Sequence, residues 1–399
     1  MAVIRIAEPR VMPKTPPKGF ALFALGFRPF FLLAAVSAAL LVPLWMAMLS
    51  GMLPVAPVLP AMLWHGHEMV FGFAAAVIVG FLLTAAHNWT GLSTPAGWPL
   101  AGLTALWLAG RAAMFSGSPV FAAVVDSSFL IVAALVLARV LVRAKSRRNY
   151  FILAILAALA LANGLTHAGA HGWLAVSPLT GLHLAVALVT VLETVIAGRI
   201  VPSFTANALH TKPWRNTHVD RLAIAATAIA LALWALEAPG AVTGGVALLA
   251  GCVQLLRVRG WRPLATWRTP LLWILHLAHA WIIVALFVLA AAGAGLLAAT
   301  PVLHLLTVGG MGGLIIGMIT RTALGHTGRL LRIGWIEVAC YVLLQAAVVL
   351  RVLPLLAAPG SAYMPLLWAA ALAWSACFAL YLGKFAPILI NPRVDGQPG

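Results

Sequence analysis

Charged side chains are scarce in this 399-residue chain, which contains 25 Lys and Arg but only 8 Asp and Glu. Soluble domains are about one-quarter charged, whereas this chain is 8% charged and 63% hydrophobic. Cysteine is also rare, and the three cysteines stand alone without a CxxCH sequence. A disulfide framework and covalent attachment of a c-type haem are therefore not indicated. The composition, with a mean hydropathy of +1.05, predicts an integral membrane protein.

Long apolar runs account for most of the chain. A membrane-spanning helix needs about 20 mainly apolar residues, and twelve segments meet that requirement. These segments are 30–49, 64–86, 98–115, 119–140, 151–171, 178–198, 220–237, 240–256, 270–292, 300–320, 333–352 and 363–386. We expect an all-α integral membrane protein with twelve transmembrane helices in a single membrane domain, residues 25–390.

The basic residues behind the net charge of +17 are distributed in step with these segments. If the amino terminus lies in the cytoplasm, every Lys and Arg except Arg111 and Arg351 falls on the cytoplasmic side. The positive-inside rule then places both termini in the cytoplasm, with an amino-terminal segment 1–24 and a tail 391–399. The charge is thus a topology signal, and nucleic acid is not expected as a partner.

Basic residues and histidines recur at a period of about 120 residues. Arginines that precede three of the predicted helices are 120 residues apart, at Arg28, Arg148 and Arg268. The helices that follow begin near histidines 118 and 121 residues apart, at His65, His183 and His304. We interpret this as three four-helix units around a pseudo-threefold axis, residues 25–147, 148–267 and 268–390. The alternative is that four spans and their loops occupy a similar length without any repeat.

The predicted topology collects half of the twelve histidines at the outer ends of their helices, together with Glu68. These histidines are His65, His67, His167, His171, His183 and His304. A lone histidine in a membrane helix usually bonds to a backbone carbonyl. A set at one depth favours a ligand layer, because neutral imidazole is a common ligand of haem iron and copper and intramembrane ionisable groups are usually functional.

Helical geometry separates the roles of these histidines. At about 100° per residue, His65 and His67 point roughly 200° apart and would serve two cofactors on opposite sides of one helix. His167 and His171 share a face and could hold one metal. Glu68 lies about 60° from His65 and is the expected proton donor or the group that orients a ligand.

Four further histidines form a weaker group near the inner ends: His87, His276, His279 and His326. They would bind a second cofactor, line a proton pathway or cap helices. Glu193 lies midway between the two groups and is expected to be a proton relay, or a structural partner of Arg199. Arg111 and Arg351 would bind haem propionates or extend to the interface as helix-end residues, and pairing of Asp126 with Arg111 would favour the latter.

Three glycines at intervals of four residues form a smooth stripe on the tenth predicted helix: Gly309, Gly313 and Gly317. Such a stripe allows close approach of another helix. The alternative is that a flat macrocycle lies against it.

Several phrases resemble the NnrS family of bacterial membrane proteins. They are LGFRPFFLLAA (25–35), WHGHEMVFGFAAAVIVGFLLTAAHNWTG (64–91), GRIVPSFTANAL (198–209) and MITRTALGHTGR (318–329). The resemblance implies a twelve-helix, multi-pass protein of the bacterial inner membrane that contains haem and copper and takes part in nitric oxide metabolism. The ligand residues are not carried over from the family and rest on the histidine pattern alone.

A more distant likeness is to the haem-copper oxidases and their nitric oxide reductase relatives. That family has twelve core helices in three arcs, with ligands on helices 2, 6 and 10, which are the helices that carry His65, His183 and His304 here. This sequence lacks an HxxxHH run on the sixth helix, and its HxH pair is on the second helix rather than the tenth. The departure puts copper at the oxidase position in doubt.

Together these features favour an enzyme of the nitric oxide reductase type. We expect one or two haem b groups held by His65, His67, His183 and His304, with copper as an additional metal and Glu68 and Glu193 as catalytic groups. The expected partners are nitric oxide, membrane lipid and an electron donor that is a quinol or a periplasmic redox protein. The alternative is a non-catalytic sensor, or a transporter of a metal or a nitrosylated metal complex.

Overall fold

The structure is a computed structural model that describes residues 19–357 and 360–397. Residues 1–18 of the predicted amino-terminal segment, and the last two residues of the predicted tail, lie outside the described residues. Over the described part, the chain is all-helical and contains no β-strand. Twelve long helices, α1 to α12 in order, span Phe27–Leu49, Ala61–Thr90, Trp98–Ala113, Pro119–Arg143, Tyr150–Ala170, Pro178–Leu209, Thr217–Ala235, Gly240–Arg259, Pro270–Gly293, Thr300–His326, Trp335–Leu356 and Tyr363–Ile390.

Each predicted segment corresponds to one of these helices. Eleven of the helices in the described residues are long and apolar enough to cross a membrane, so the chain is a multi-pass membrane protein. The exception is α3, whose 16 residues reach about 24 Å, against a hydrocarbon core of about 30 Å. The twelfth span and the cytoplasmic placement of both termini stay predictions.

Helix α6 differs most from its predicted extent of 178–198. Ser177 caps its start by accepting a hydrogen bond from the Leu179 amide, and the helix then continues for 32 residues through Pro202. Arg199 does not end the helix, because its guanidinium lies over the ring of Phe151, 5.1 Å from the ring centroid. Counting apolar residues alone could not predict that α6 extends beyond residue 198.

Consecutive helices pack side by side, and α12 returns to pack against α1. Helix α6 contacts both α2 and α10, which places these three histidine-bearing helices in the interior of the bundle. This arrangement agrees with the three units predicted from the 120-residue period, but the repeat itself stays a prediction.

Two of the three interior helices contain a π-helical segment. The segments are Glu68–Ala74 in α2 and Leu305–Gly312 in α10, and each begins directly after a histidine. Helix α6 is α-helical throughout. Such segments are rare, leave backbone groups in need of new partners and are frequent at functional sites. The sequence pattern did not predict them.

The glycine stripe on α10 serves helix packing. A Cβ atom on Gly309 would lie 2.7 Å from Trp281, one on Gly313 would lie 2.7 Å from Ala278, and one on Gly317 would lie 2.7 Å from Leu275. All three contacts are with α9, so the stripe brings α9 and α10 together and leaves no room for a macrocycle against it. The macrocycle interpretation of this stripe was wrong.

Replacing Gly309 by alanine should therefore lower the unfolding temperature of the detergent-solubilised protein. The new methyl group would collide with Trp281, whose ring is fixed by a 2.7 Å hydrogen bond to Gln345. We expect a loss of about 1–3 kcal/mol, as for other overpacked sites. Gly102→Ala in α3 is the matched control, because its Cβ would meet nothing within 4 Å and alanine favours the helix by about 0.5–1 kcal/mol. Equal melting temperatures for the two variants would contradict this packing role.

Candidate functional site

The start of α2 places its two histidines on opposite sides of the helix. His65 lines a cavity together with His304 of α10. His67 is fully buried on the other side, where its ring lies 5.1 Å from the ring of His167 between centroids. The separation predicted from the helical period is therefore present, and two distinct groups of side chains result.

The first group surrounds what we call the His65–His304 cavity. It lies between α1, α2, α6, α10, α11 and α12 and has a volume of about 110 Å³. Its walls are mainly apolar, with residues such as Val42, Met69, Phe73 and Trp374. Apolar walls with a few convergent polar groups are typical of cofactor sites.

The polar groups of this cavity are two imidazoles and one guanidinium. His65 and His304 each have a buried Nδ1 atom without a hydrogen-bond partner among the described residues. Trp45 stacks on His65 with ring centroids 4.0 Å apart, which fixes the plane of the imidazole. Arg351 lines the same cavity and donates a 3.4 Å hydrogen bond to the Tyr363 hydroxyl. This donor set fits a haem b, with imidazole for the iron and Arg351 for a propionate.

The second group, the His67–His167 cluster, consists of His67, Glu68, Arg111, Asp126, Asn163 and His167. The His67 Nε2 atom lies 2.9 Å from Asn163 Oδ1 and 3.1 Å from Asp126 Oδ2. The His167 Nε2 atom lies 3.3 Å from the same Asp126 oxygen, and the Asn163 amide donates to it at 2.7 Å. Three helices, α2, α4 and α5, thus bring their polar side chains to one buried point.

This cluster has the donors of a metal site. One ligand atom each from His67, Asp126 and His167 lies within 4.8 Å of the others, and all three residues are buried. Two imidazoles and one carboxylate are the donor set of many non-haem iron sites, and imidazole also suits copper and zinc. The predicted partner His171 lies outside this set, because its ring stacks between His167 and Trp173.

Arg111 balances the two carboxylates of the cluster. Its guanidinium donates to Glu68 Oε1 at 2.7 Å and to Asp126 Oδ1. Glu68 also lies 3.3 Å from the Nδ1 atom of His67. The one guanidinium and two carboxylates together carry a net charge of −1, which favours an added cation.

The π segment of α2 makes room for this arginine. A Cβ atom on Gly72 would lie 2.9 Å from an Arg111 nitrogen, so glycine at this position lets the guanidinium lie close to α2. The Gly72 carbonyl accepts from the Ala75 amide and also accepts a 3.1 Å hydrogen bond from the Trp107 indole.

The arginine predictions have different outcomes. Arg351 reaches the His65–His304 cavity, whereas Arg111 is held by Glu68 and Asp126. The pairing of Asp126 with Arg111, considered as a structural alternative, is present. Sequence reasoning missed Asp126 and Asn163 as members of the cluster. A signal existed for Asp126, because it is the only acidic residue in α4.

His183 is not brought together with the other outer histidines. Its ring stacks on Trp234 with centroids 4.4 Å apart, and it lines neither of the two cavities between α2, α6 and α10. Its predicted ligand role stays a prediction. The neighbouring α6 residues Leu182 and Val186 form the cavity wall instead.

The inner histidines are dispersed. The His276 ring nitrogen lies 3.0 Å from the Thr205 hydroxyl, and that of His279 lies 3.2 Å from Gln254 Oε1. His87 contacts the Leu92 carbonyl at 3.0 Å near the end of α2, and His326 packs against Phe27. The position of His87 near the end of α2 is that of a capping residue, and the cofactor and proton-pathway roles of this group stay predictions.

Glu193 lines a second cavity between α1, α2, α6 and α10, and its Oε2 atom has no hydrogen-bond partner among the described residues. The alternative partner Arg199 lies over Phe151 instead. The predicted proton-relay role of Glu193 stays a prediction.

Comparison with known proteins identifies one family. The family model described as NnrS protein matches residues 21–393, which is nearly the whole chain and includes both groups of side chains. No curated protein matches the chain.

Proposed function

We propose that this protein, a member of the NnrS family, reduces nitric oxide to nitrous oxide at a haem b in the His65–His304 cavity. The family is linked to the nitric oxide response. The observation that carries the proposal is the pair of buried imidazoles, each with an unpartnered nitrogen, in an apolar cavity that also contains Arg351. The protein would act in the inner membrane of a bacterium.

His65 or His304 would hold the haem iron, from α2 or α10, which leaves the iron accessible to nitric oxide, and Arg351 would bind a propionate. When bound, the haem supplies an iron that binds nitric oxide and passes electrons to it. Trp45 keeps the His65 ring in one orientation. The apolar walls exclude water, so the remaining polar groups act more strongly on the reacting molecules.

The His67–His167 cluster would hold a second metal, copper or non-haem iron, through His67, Asp126 and His167. Glu68 contacts His67 Nδ1 and Arg111 contacts the second oxygen of Asp126, so these two residues orient the ligands. Because α2 carries both His65 and His67, one helix would lie between the haem and this metal. The reaction joins two nitric oxide molecules and consumes two electrons and two protons, with nitrous oxide and water as products.

An absorbance spectrum of the purified protein, with and without dithionite and nitric oxide, tests this function. We expect a Soret band that shifts on reduction and again on addition of nitric oxide. Nitric oxide should be consumed with reductant, and one nitrous oxide should appear for every two molecules lost. A colourless protein would contradict the haem.

The same experiment separates the other two functions considered for the chain. A haem protein that binds nitric oxide without consuming it would be a sensor. A metal transporter would have exchangeable metal, no Soret band and helices broken near its site. The continuity of α2 and α10 past their histidines supports a fixed cofactor over transport.

A further inference from the structure

The second cavity between the interior helices has an unusual lining. It lies between α1, α2, α6 and α10 and has a volume of about 80 Å³, and Glu193 is the one polar residue among the described residues that line it. Residues such as Phe81, Ile196 and Met318 form its apolar walls. No histidine lies among these lining residues, so they offer a haem no imidazole ligand. We call this space the Glu193 cavity.

Glu193 requires a partner that the described residues do not supply. Its Oε2 atom is buried without a hydrogen bond. A buried carboxyl oxygen without a hydrogen bond has lost its water partners without replacing them, so its burial is unfavourable. A ligand that donates a hydrogen bond to this oxygen would remove that cost.

The cavity lies next to the proposed haem site along shared helices. Val186 lines the first cavity and Glu193 the second, and they are seven residues, or about 10 Å, apart along α6. Met311 and Leu314 line the two cavities from α10 and are three residues apart. A reductant in the Glu193 cavity would therefore lie close to the haem. Its electrons would reach the haem through protein and not through water.

We infer that the Glu193 cavity binds a lipid-soluble hydroquinone, whose hydroxyl donates a hydrogen bond to Glu193. The apolar walls suit a substituted ring and the start of an isoprenoid tail. A lipid acyl chain fills apolar space but leaves the carboxyl group unpaired. The inference rests on the proposed function for its redox step, because it names the electron donor of that reaction.

The stoichiometry of such a donor matches the reaction. Hydroquinone oxidation breaks two O–H bonds and releases two electrons and two protons, leaving a quinone. Both electrons reduce the nitrogen of two nitric oxide molecules, which join through a new N–N bond. One oxygen leaves with the two protons as water, and the other remains in nitrous oxide. One hydroquinone is thus consumed for each nitrous oxide formed.

The test compares Glu193→Leu and Glu193→Gln in the full-length, cofactor-loaded protein. Binding of decylubiquinol, kept reduced under anaerobic conditions, is measured by calorimetry, and nitric oxide consumption is measured with decylubiquinol or with dithionite and methyl viologen. Glu193→Leu should weaken quinol binding about tenfold, since it removes one hydrogen bond. The ratio of quinol-driven to viologen-driven rates should fall to a similar extent. Glu193→Gln retains an acceptor oxygen and should bind nearly as wild type.

Two further variants make the result specific. Ala197→Phe fills the cavity from the next turn of α6 and should abolish quinol binding, which tests the site even if Glu193→Leu does not fold. Glu237→Gln, at an exposed carboxyl group, is the control and should behave as wild type. Equal quinol affinity in all variants would overturn the inference. Absence of nitric oxide consumption with either donor, combined with quinol binding that depends on Glu193, would instead reject the reductase function and retain the site.

Discussion

Replacement of both His65 and His304 by alanine is expected to remove the haem from the cavity, with loss of its Soret band and of nitric oxide consumption. These residues supply the two imidazoles of the His65–His304 cavity, and each has an unpartnered buried nitrogen. Each single variant should keep one imidazole in the cavity that can hold the haem, and therefore a weaker, shifted spectrum. The haem-to-protein ratio, measured as the pyridine haemochrome, reports this loss without depending on activity.

The control for this pair is His218→Ala, because His218 is exposed and lines neither cavity. The circular dichroism spectrum should be the same for all four variants, since the lost side chains face a cavity. Imidazole added to the single variants should restore part of the original spectrum by occupying the vacated ligand position. A double variant that keeps the wild-type haem content would show that the haem lies elsewhere.

Asp126→Asn should remove the second metal while leaving the fold intact. The amide has the volume of the carboxylate and can still accept from Arg111 or Asn163, but it is a poor ligand for a transition metal. The protein-bound copper, and the iron in excess of the haem iron, measured by plasma mass spectrometry after expression in supplemented medium, should fall at least tenfold. Nitric oxide consumption should fall with the metal, and the haem spectrum should persist.

Asp126→Ala is expected to lower the free energy of unfolding more than Asp126→Asn does. It leaves the half-buried Arg111 with only one of its two carboxylate partners, and it removes an acceptor from Asn163. Loss of one member of a buried ion pair typically destabilises a protein by about 3–5 kcal/mol. The unfolding temperature in detergent should therefore fall clearly for alanine and little for asparagine.

Asp220→Asn provides a matched control for both substitutions. Asp220 forms an ion pair with Arg257 at 2.7 Å, as Asp126 does with Arg111, but outside the His67–His167 cluster. Its replacement should change stability and leave the metal content unchanged. If Asp126→Asn retained full metal content, the cluster would be a structural network of hydrogen bonds only.

Several features of the site could be predicted from sequence because they depend on one helix. The opposite directions of His65 and His67 follow from the helical period alone, and the structure has them. The membrane class and the number of long helices follow from apolar runs, which are local properties. The predicted end of α6 at residue 198 was wrong, because the apolar run stops at Arg199 and the helix does not. The Arg199 guanidinium lies over Phe151 of a neighbouring helix, a contact that the apolar run does not predict.

The partners of each histidine were decided by packing between helices. The 120-residue period grouped His183 with His65 and His304, but the rotation of α6 directs Leu182 and Val186 to the cavity and stacks His183 on Trp234. Likewise, Asp126 and Asn163 lie 37 residues apart in sequence and meet His67 only because α2, α4 and α5 converge. The sequence by itself determined a membrane bundle with histidines at the ends of its helices. Tertiary structure decided which of them share a cavity, because the rotation of a helix about its axis is set by contacts with its neighbours and not by its own residues.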